Sequence, residues 1–349
     1  MNLRMAVPVL ALLTLALAGC TYTPTPLKGS SNIVAMIGQD GAPNGGVIAT
    51  SKGAVVIDPG LSPETGAVFN QEAKSRSSKL WDEIYRSKKR EAETLPPPVL
   101  YVLNTTYRAS HTFGNEAFAS QADLVMSNGA ARKFGDTDEF RRMREIMGNQ
   151  FKVPGAGNAA MSDVVMSFEG SFSLRTPEVE LKMISMGDCV GEGDAVVYLP
   201  QQKILFAGDI VIPGFVPYYK GRTPTIQNWI QALKRLKLMD IDTIIPGHGK
   251  IGGKELIDQQ LEFLEALKVE TTVAIQARQT PEQAAASVKL VKFNTWRGFN
   301  EWMGENVKLM YQELSQGAGT QGAASHPEGG AAVAGPRNGL DGRDVFADK

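Results

Sequence analysis

The sequence predicts an α/β fold built around one large hydrophobic core. From Ile33 to about Leu314, short apolar runs of strand length alternate with longer segments of helical periodicity. The chain has 349 residues, 43% of them hydrophobic, which is enough to bury one large α/β core. Its formal net charge is −1 and it has no basic cluster. Composition therefore gives no electrostatic reason to expect nucleic acid as a partner.

The first twenty residues have the pattern of an export signal. Arg4 provides a positive start, and the apolar run from Val7 to Leu17 is too short to span a bilayer. Residues 17–20, Leu-Ala-Gly-Cys, resemble a bacterial lipobox, which implies that Cys20 becomes the lipid-modified first residue of the mature protein. An ordinary secretory signal that happens to end at cysteine is the alternative.

The expected location follows from the lipobox resemblance. Thr21, rather than Asp, after the cysteine resembles lipoproteins sorted to an outer membrane. We therefore expect a protein of the cell envelope, held on the periplasmic face by a lipid on Cys20. Residues 21–31 are rich in Thr and Pro, which disfavour helix, and are predicted to form an extended tether.

The predicted domain covers residues 32–315, and its first half reads as strands around one charged helix. Gly-rich turns separate the first three strands, and the helix spans Glu64 to Glu91. The loop from Asn104 to Asn115 leaves the end of a buried strand, where ligands usually bind in an open α/β sheet. The predicted strands are Ile33 to Ile37, Val47 to Thr50, Ala54 to Asp58 and Val99 to Leu103.

The second half continues the alternation and ends in a segment of different composition. Helices are predicted at 130–150, at 254–278, at 299–314, and around Ile226, where apolar residues recur at helical spacing. Residues 316–349 are rich in Gly, Ala and Pro and are predicted to be disordered. The strands of this half are Glu180 to Met186, Ala195 to Leu199, Ile204 to Ala207 and Thr243 to Ile245.

Several motifs at strand ends occur in a fixed order. Asp58-Pro59-Gly60 comes first, then residues 104–115, then Ala207-Gly208-Asp209, and finally residues 246–249, Pro-Gly-His-Gly. Their order and spacing resemble the metallo-β-lactamase superfamily over Ile33 to Leu264. The resemblance implies a four-layer αβ/βα sandwich with a metal site along one edge of its two packed sheets. Asp58 would then be a structural residue of a strand-turn.

The resemblance also implies a degenerate metal site. In that family two histidines of the first loop bind one metal, whereas an aspartate and a last histidine of the loop bind a second. The corresponding residues here are Thr106, Arg108, Ser110 and His111, and Val190 stands where the next histidine is expected. Only His111, the bridging carboxylate Asp209 and the last histidine His248 are retained. We expect these three residues to hold either one divalent ion, which would be zinc or iron, or no ion at all.

Ser110 and Arg108 are the candidate catalytic residues. Ser110 replaces the family's aspartate, and a hydroxyl is a poor base. Arg108 either pairs bidentately with Asp209 in place of the first metal or points to solvent. Cys189 is either a substitute thiolate ligand, a nucleophile with His111 or His248 as its base, or a small buried residue.

Two functions are compatible with these residues. The first is a weakly catalytic or non-catalytic protein, lipid-anchored in the envelope, that binds a small molecule or an envelope protein. The second is a mononuclear hydrolase of an ester, thioester or related bond that uses His111, Asp209 and His248. A dinuclear zinc hydrolase of the usual type is disfavoured because most of its ligands are missing.

Overall fold

Two β-sheets form the centre of the molecule. The computed structural model describes residues 22–27, 29–87, 99–219 and 226–317. The predictions for residues 1–20, including Cys20, and for residues 318–349 of the tail lie outside these described ranges. The first sheet has seven strands in chain order: β1 (Tyr22–Leu27), β2 (Ser30–Gly38), β3 (Gly45–Thr50), β4 (Gly53–Ile57), β5 (Val99–Leu103), β6 (Asp123–Ser127) and β7 (Met166–Phe168).

The second sheet has five strands in the reverse of chain order. Its neighbouring strands are antiparallel, except for the two strands that come last in the chain, which are parallel. Its strands are β8 (Ser171–Arg175), β9 (Glu180–Gly187), β10 (Asp194–Leu199), β11 (Ile204–Gly208) and β12 (Thr243–Pro246). The helices of the described chain are α1 (Pro63–Ser87), α2 (Ala109–Thr112), α3 (Asn128–Phe134), α4 (Thr137–Glu145), α5 (Ile226–Leu238), α6 (Glu255–Gln276), α7 (Pro281–Ser287) and α8 (Phe299–Gly317).

Three apolar layers separate the sheets and helices. Along β2, Ile33 and Ala35 face the second sheet, whereas Val34 and Met36 face the helices, as the period of two in a strand requires. Phe69 of α1 packs in the outer layer of the first sheet, and Trp229 of α5 in that of the second. The order helix, sheet, sheet, helix confirms the four-layer αβ/βα sandwich.

Residues 22–27 of the predicted extended tether are part of the first sheet. They form β1, which pairs antiparallel with β2 from Tyr22 opposite Gly38 onward. The segment is extended, as its composition indicates, but Leu27 is buried at its end. Pro24 and Pro26 fit this position because an edge strand tolerates residues that cannot donate a hydrogen bond.

The helix predicted at 130–150 is interrupted. Asp136 is the N-cap of α4, and its side chain accepts hydrogen bonds from the amides of Asp138 and Glu139 at 3.0 and 3.1 Å. This cap separates α3 from α4, and residues 146–150 continue α4 as one π-helical turn. Strands β6, β7 and β8 and the short helices α2 and α7 were not predicted.

The ends of four strands meet at one edge of the sandwich. Strands β4 and β5 are parallel neighbours in the first sheet, and β11 and β12 are parallel neighbours in the second. Their carboxyl ends carry Asp58, the 104–111 segment, Asp209 and the 246–249 segment. None of the helices in the described ranges combines the length and the apolar character needed to cross a bilayer.

Candidate metal centre

Three side chains converge where the two sheets meet. His111 Nε2 lies 2.9 Å from Asp209 Oδ1, and His248 Nε2 lies 3.4 Å from the same oxygen. All three potential ligand atoms are within 4.8 Å of one another. Ligand atoms about 2.1 Å from a tetrahedral ion are about 3.4 Å apart, so this set needs only small shifts to enclose one ion.

The second nitrogen of each histidine has a partner that orients the ring. His111 Nδ1 lies 3.2 Å from Asp58 Oδ2, and His248 Nδ1 lies 2.9 Å from the carbonyl oxygen of Gly41. A carboxylate or carbonyl at Nδ1 favours the tautomer whose Nε2 lone pair is free to bind a metal. The residues present therefore fit one divalent ion on the Nε2 atoms of His111 and His248 and on Asp209.

Tight backbone turns hold these side chains in place. Asp58 has a φ of 48°, and its carboxylate accepts hydrogen bonds from the amide and the hydroxyl of Thr105 at 2.9 and 2.6 Å. Gly208 has a φ of 52°, and a Cβ on it would lie 2.2 Å from Thr105 Oγ1. Only glycine therefore allows the end of β11 to approach Thr105 so closely, which brings Asp209 to His111.

Asn44 ties the first Gly-rich turn to the His248 loop. Its Nδ2 donates to the carbonyl oxygens of Pro246 and Gly249, both at 2.9 Å, and its backbone amide donates to Gly247 at 2.7 Å. The turn that contains Gly41 is thereby fixed beside His248. Asn44 was not identified from the sequence, because its partners lie about 200 positions away along the chain.

Arg108 occupies the side of Asp209 that faces away from the histidines. Its Nε lies 3.4 Å from Asp209 Oδ2, and its Nη2 donates to the carbonyl oxygen of Tyr218 at 2.8 Å. Arg108 lies against Asp209, as one of the two alternatives predicted, but the predicted bidentate pair is not formed, because only Nε approaches the carboxylate. The alternative in which Arg108 points to solvent is wrong, since the residue is only 9% exposed.

The buried charges strongly shift two pKa values. Burial disfavours a charged imidazole, but the carboxylates of Asp209 and Asp58 outweigh it and raise the pKa of His111 to about 10. Burial alone would raise the pKa of Asp209, yet His111, His248 and Arg108 hold that pKa well below its ordinary value. Without an ion at neutral pH, a protonated His111 therefore bridges two carboxylates.

A cavity of about 310 Å³ adjoins the three side chains. Arg108, Ser110, Asp209 and His248 line it on the metal-centre side. Its other walls are largely apolar, and the rings of Phe151, Tyr218 and Trp302 pack edge to face with centroids 5.5–6.4 Å apart. Further apolar wall residues are Met143, Met147 and Phe215.

Cys189 is separated from the metal centre by its packing. It is fully buried, with its Sγ 3.6 Å from the carbonyl oxygen of Met186 and 3.7 Å from Asn228 Nδ2. Burial and the charges of Asp194 and Asp188 raise the pKa of its thiol well above the ordinary value. A buried thiol of this kind is a poor ligand and nucleophile, so the small buried residue is the alternative that the structure favours.

Comparisons with known proteins identify a family and structures of similar fold. The sequence model of the metallo-beta-lactamase superfamily matches residues 38–248. The inverting sec-alkylsulfatase Pisa1 from Pseudomonas sp. shares 17% identity with a TM-score of 0.60, over 83% of this chain and 50% of that one. A metallo-beta-lactamase from Pontibacter korlensis shares 22% identity with a TM-score of 0.46, over 70% of this chain and 99% of that one.

The structural likeness concerns the fold alone. The chain spans half the length of the alkylsulfatase. No match was found among curated protein sequences. The family match covers most of the sandwich and runs from the end of β2 to His248, the last residue of the donor set. From the fold, the strand-end site and this match, we conclude that the chain belongs to the metallo-β-lactamase superfamily.

Proposed function

We propose that this protein is a lipid-anchored envelope member of the superfamily that binds a small molecule beside a single divalent ion and has little or no hydrolytic activity. The proposal rests on the different partners of the two oxygens of the Asp209 carboxylate. One of its oxygens faces both histidines, and the other faces Arg108. Arg108 thus takes the carboxylate oxygen that a second ion would need.

His111, Asp209 and His248 are the residues that would hold the ion. When bound, a divalent ion supplies a positive charge with open coordination positions and favours deprotonation of a bound water. The remaining work falls to the chain's own residues. The apolar and aromatic walls would bind the body of the ligand and exclude water, and Arg108 would contribute a permanent positive charge beside it.

The weak activity in this proposal follows from Ser110. It stands at the position where the family resemblance places a carboxylate, and it lines the cavity. A hydroxyl at neutral pH does not replace a carboxylate as a proton acceptor. Loss of one catalytic group of this kind typically costs several kcal/mol of transition-state stabilisation, on the order of 3 kcal/mol.

A mononuclear hydrolase is the second candidate function. It is favoured by one observation, namely that Asp209, His248 and Ser110 all line the cavity, so an ion at this site would face a bound ester or thioester. Both candidate functions include the single ion, and they differ in whether the protein hydrolyses a substrate.

Metal content and turnover together separate these candidates. Full-length protein, extracted in detergent without chelator, would be analysed by mass spectrometry for zinc and iron and assayed with chromogenic ester, thioester and β-lactam substrates. His248→Ala removes a ligand, and His326→Ala is its matched control because residue 326 follows the described domain.

We expect about one equivalent of ion in the wild type and in His326→Ala, less than 0.2 in His248→Ala, and no difference in hydrolysis among the three. Hydrolysis that depends on His248 would establish the second candidate instead. Two equivalents of ion, or none, would overturn the single-ion site.

The lipid anchor has its own test. We expect radioactive palmitate to label the protein in cells and to leave Cys20→Ser unlabelled. Cys189→Ser, which leaves Cys20 intact, is the control and should be labelled normally. Labelling that persists in Cys20→Ser, or its absence from the wild type, would refute the anchor.

A further inference from the structure

Four buried polar atoms lie behind the Arg108–Asp209 pair without a hydrogen-bonding partner among the described residues. They are Thr106 Oγ1, Arg108 Nη1, Asp194 Oδ1 and Tyr219 Oη. Thr106, Asp194 and Tyr219 are at most 1% exposed. Leaving one such atom dry typically costs about 1–3 kcal/mol, so these atoms call for a ligand.

The contacts of the neighbouring atoms place Asp194 and Thr106 together. Asp194 Oδ2 accepts hydrogen bonds from the amides of Val190 and Gly191, both at 2.8 Å, which leaves Oδ1 to face the Thr106 hydroxyl. A Cβ built on Gly191 would lie 3.3 Å from Asp194 Oδ1 and 3.5 Å from Thr106 Oγ1. The two oxygens therefore border the same small space.

Arg108, which lines the cavity, and Tyr219 both interact electrostatically with Asp194. Arg108 uses Nε for Asp209 and Nη2 for the carbonyl oxygen of Tyr218, so Nη1 is the nitrogen that remains. Burial raises the pKa of Asp194 to about 7. The hydrogen bond from the Gly191 amide, the facing Thr106 hydroxyl and the positive charge of Arg108 lower this pKa but do not outweigh burial. The pKa of Tyr219 is raised well above its ordinary value, first by burial and also by Asp194, while Arg108 lowers it.

The chemistry of the four atoms selects the ligand. A guanidinium nitrogen only donates hydrogen bonds, the ionised form of Asp194 only accepts them, and the two hydroxyls do both. A metal ion is unsuited to this set, because Nη1 has no lone pair and carries positive charge. Water accepts from Arg108 and donates to Asp194 at the same time, and buried waters typically make about three such bonds.

We propose that the space where the family places its first ion is a metal-free, hydrated pocket in this protein, in which ordered water joins Arg108 Nη1 to Asp194 Oδ1 and contacts Thr106 and Tyr219. Two of its four residues, Thr106 and Arg108, stand at positions of the family's first-metal ligands. The pocket goes beyond the single-ion site, because it explains how the chain stabilises the region of the missing ion.

Removal of the Tyr219 hydroxyl tests whether water is present, because the two cases predict opposite effects on stability. If water binds this hydroxyl, Tyr219→Phe loses a hydrogen bond, and we expect the variant to unfold at a lower urea concentration than the wild type. If the hydroxyl is dry, the same variant loses an unpaired buried group and unfolds at a higher concentration, which would overturn the proposal.

Thr271→Val is the matched control. Thr271 lies in α6, is fully buried, and its hydroxyl has no hydrogen-bonding partner among the described residues. It is not one of the four atoms of the pocket. We expect its replacement by valine to leave the urea midpoint unchanged or to raise it.

A zinc-soaked crystal, with data collected on both sides of the zinc absorption edge, provides the second test. We expect one anomalous peak, at His111, Asp209 and His248, and a separate non-anomalous peak within hydrogen-bonding distance of Arg108 Nη1 and Asp194 Oδ1. A second anomalous peak in the pocket, or no density there, would overturn the proposal. Zinc missing from the histidines would refute the single-ion site and leave the water peak to decide this inference separately.

Discussion

A proton and a divalent ion would compete for Nε2 of His111. Its Nε2 faces Asp209, and two carboxylates raise its pKa to about 10. An ion needs the unprotonated nitrogen, so below this pKa each bound ion must displace one proton. Ion binding should therefore strengthen as the pH rises toward the pKa and should level off above it.

We expect the Kd for zinc to fall about tenfold for each pH unit between pH 6.5 and 8.5, which corresponds to about 1.4 kcal/mol per unit. Competition against a chromogenic chelator of known zinc affinity, repeated at three pH values in matched buffers, measures it. A Kd that stays constant over this range would show that His111 is already neutral.

Arg108 should affect stability and ion affinity in opposite directions. Arg108→Gln leaves buried Asp209 with one cation fewer, and loss of a partner in a buried ion pair typically costs about 3–5 kcal/mol. The same change removes a positive charge next to the ion. We therefore expect a lower urea midpoint together with at least tenfold tighter zinc binding.

Arg132→Gln is the control for Arg108→Gln. Arg132 pairs with Glu192 at 3.3 Å with its side chain 72% exposed, so its loss should cost less than about 1 kcal/mol. Zinc affinity should not change. If Arg108→Gln weakens zinc binding instead, Arg108 supports the ligand set and does not compete with the ion.

The sequence predicted the identity of the central residues better than their contacts. His111, Asp209 and His248 follow from the family resemblance, and the structure brings them together. Their role as metal ligands, and the catalytic role of Ser110, stay predictions. Asp58 was expected to be only a turn residue, and its contact with His111 depends on the packing of β4 against the 104–111 segment, which no local pattern shows.

At the scale of single elements, the close approach of β11 to Thr105 can be tested with glycine variants. Gly208→Ala would place a Cβ 2.2 Å from Thr105 Oγ1 and would keep a positive φ. Overpacking and the left-handed backbone together should cost about 2–4 kcal/mol. Urea unfolding measures this cost, and zinc binding should weaken in the same variant because Asp209 shifts.

Gly170→Ala separates the backbone cost from the packing cost. Gly170 also has a positive φ, 72°, but a Cβ on it would meet nothing within 4 Å. It should lose only about 1 kcal/mol from the left-handed backbone. Equal losses in the two variants would show that the contact with Thr105 is unimportant.

The elements that the sequence predicted are those with long or fully apolar patterns. Strand β5 matches its prediction residue for residue, and α5 contains the apolar residues from Ile226 to Leu236 whose helical spacing predicted it. Strands β7 and β8 have only three and five residues, are mostly exposed or partly buried, and carry no continuous apolar run. Their pairing partners define them as strands, and a single sequence does not show those partners.

At the scale of the whole molecule, an ion would join the two sheets. His111 follows β5 of the first sheet, whereas Asp209 and His248 follow β11 and β12 of the second. Zinc at about 100 times its Kd should therefore raise the free energy of unfolding by about 2.7 kcal/mol. Chemical denaturation of the wild type and His326→Ala should show this gain.

His248→Ala should show little or no gain from zinc under the same conditions, because one of the three ligands is lost. A gain that survives in His248→Ala would place the stabilising ion elsewhere on the protein. Hydrogen exchange would then locate it, since the amides near the true site become the most protected.

Folding does not have to wait for an ion, because of the row of side chains formed by Asp58, His111, Asp209 and Arg108. Its two carboxylates are matched by one imidazolium and one guanidinium, so the sandwich can close before any ion arrives. Folding and metal acquisition are then separate steps. If the site binds an ion, a newly made chain would be able to fold where zinc or iron is scarce and to bind the ion later, without passing through an unfolded state.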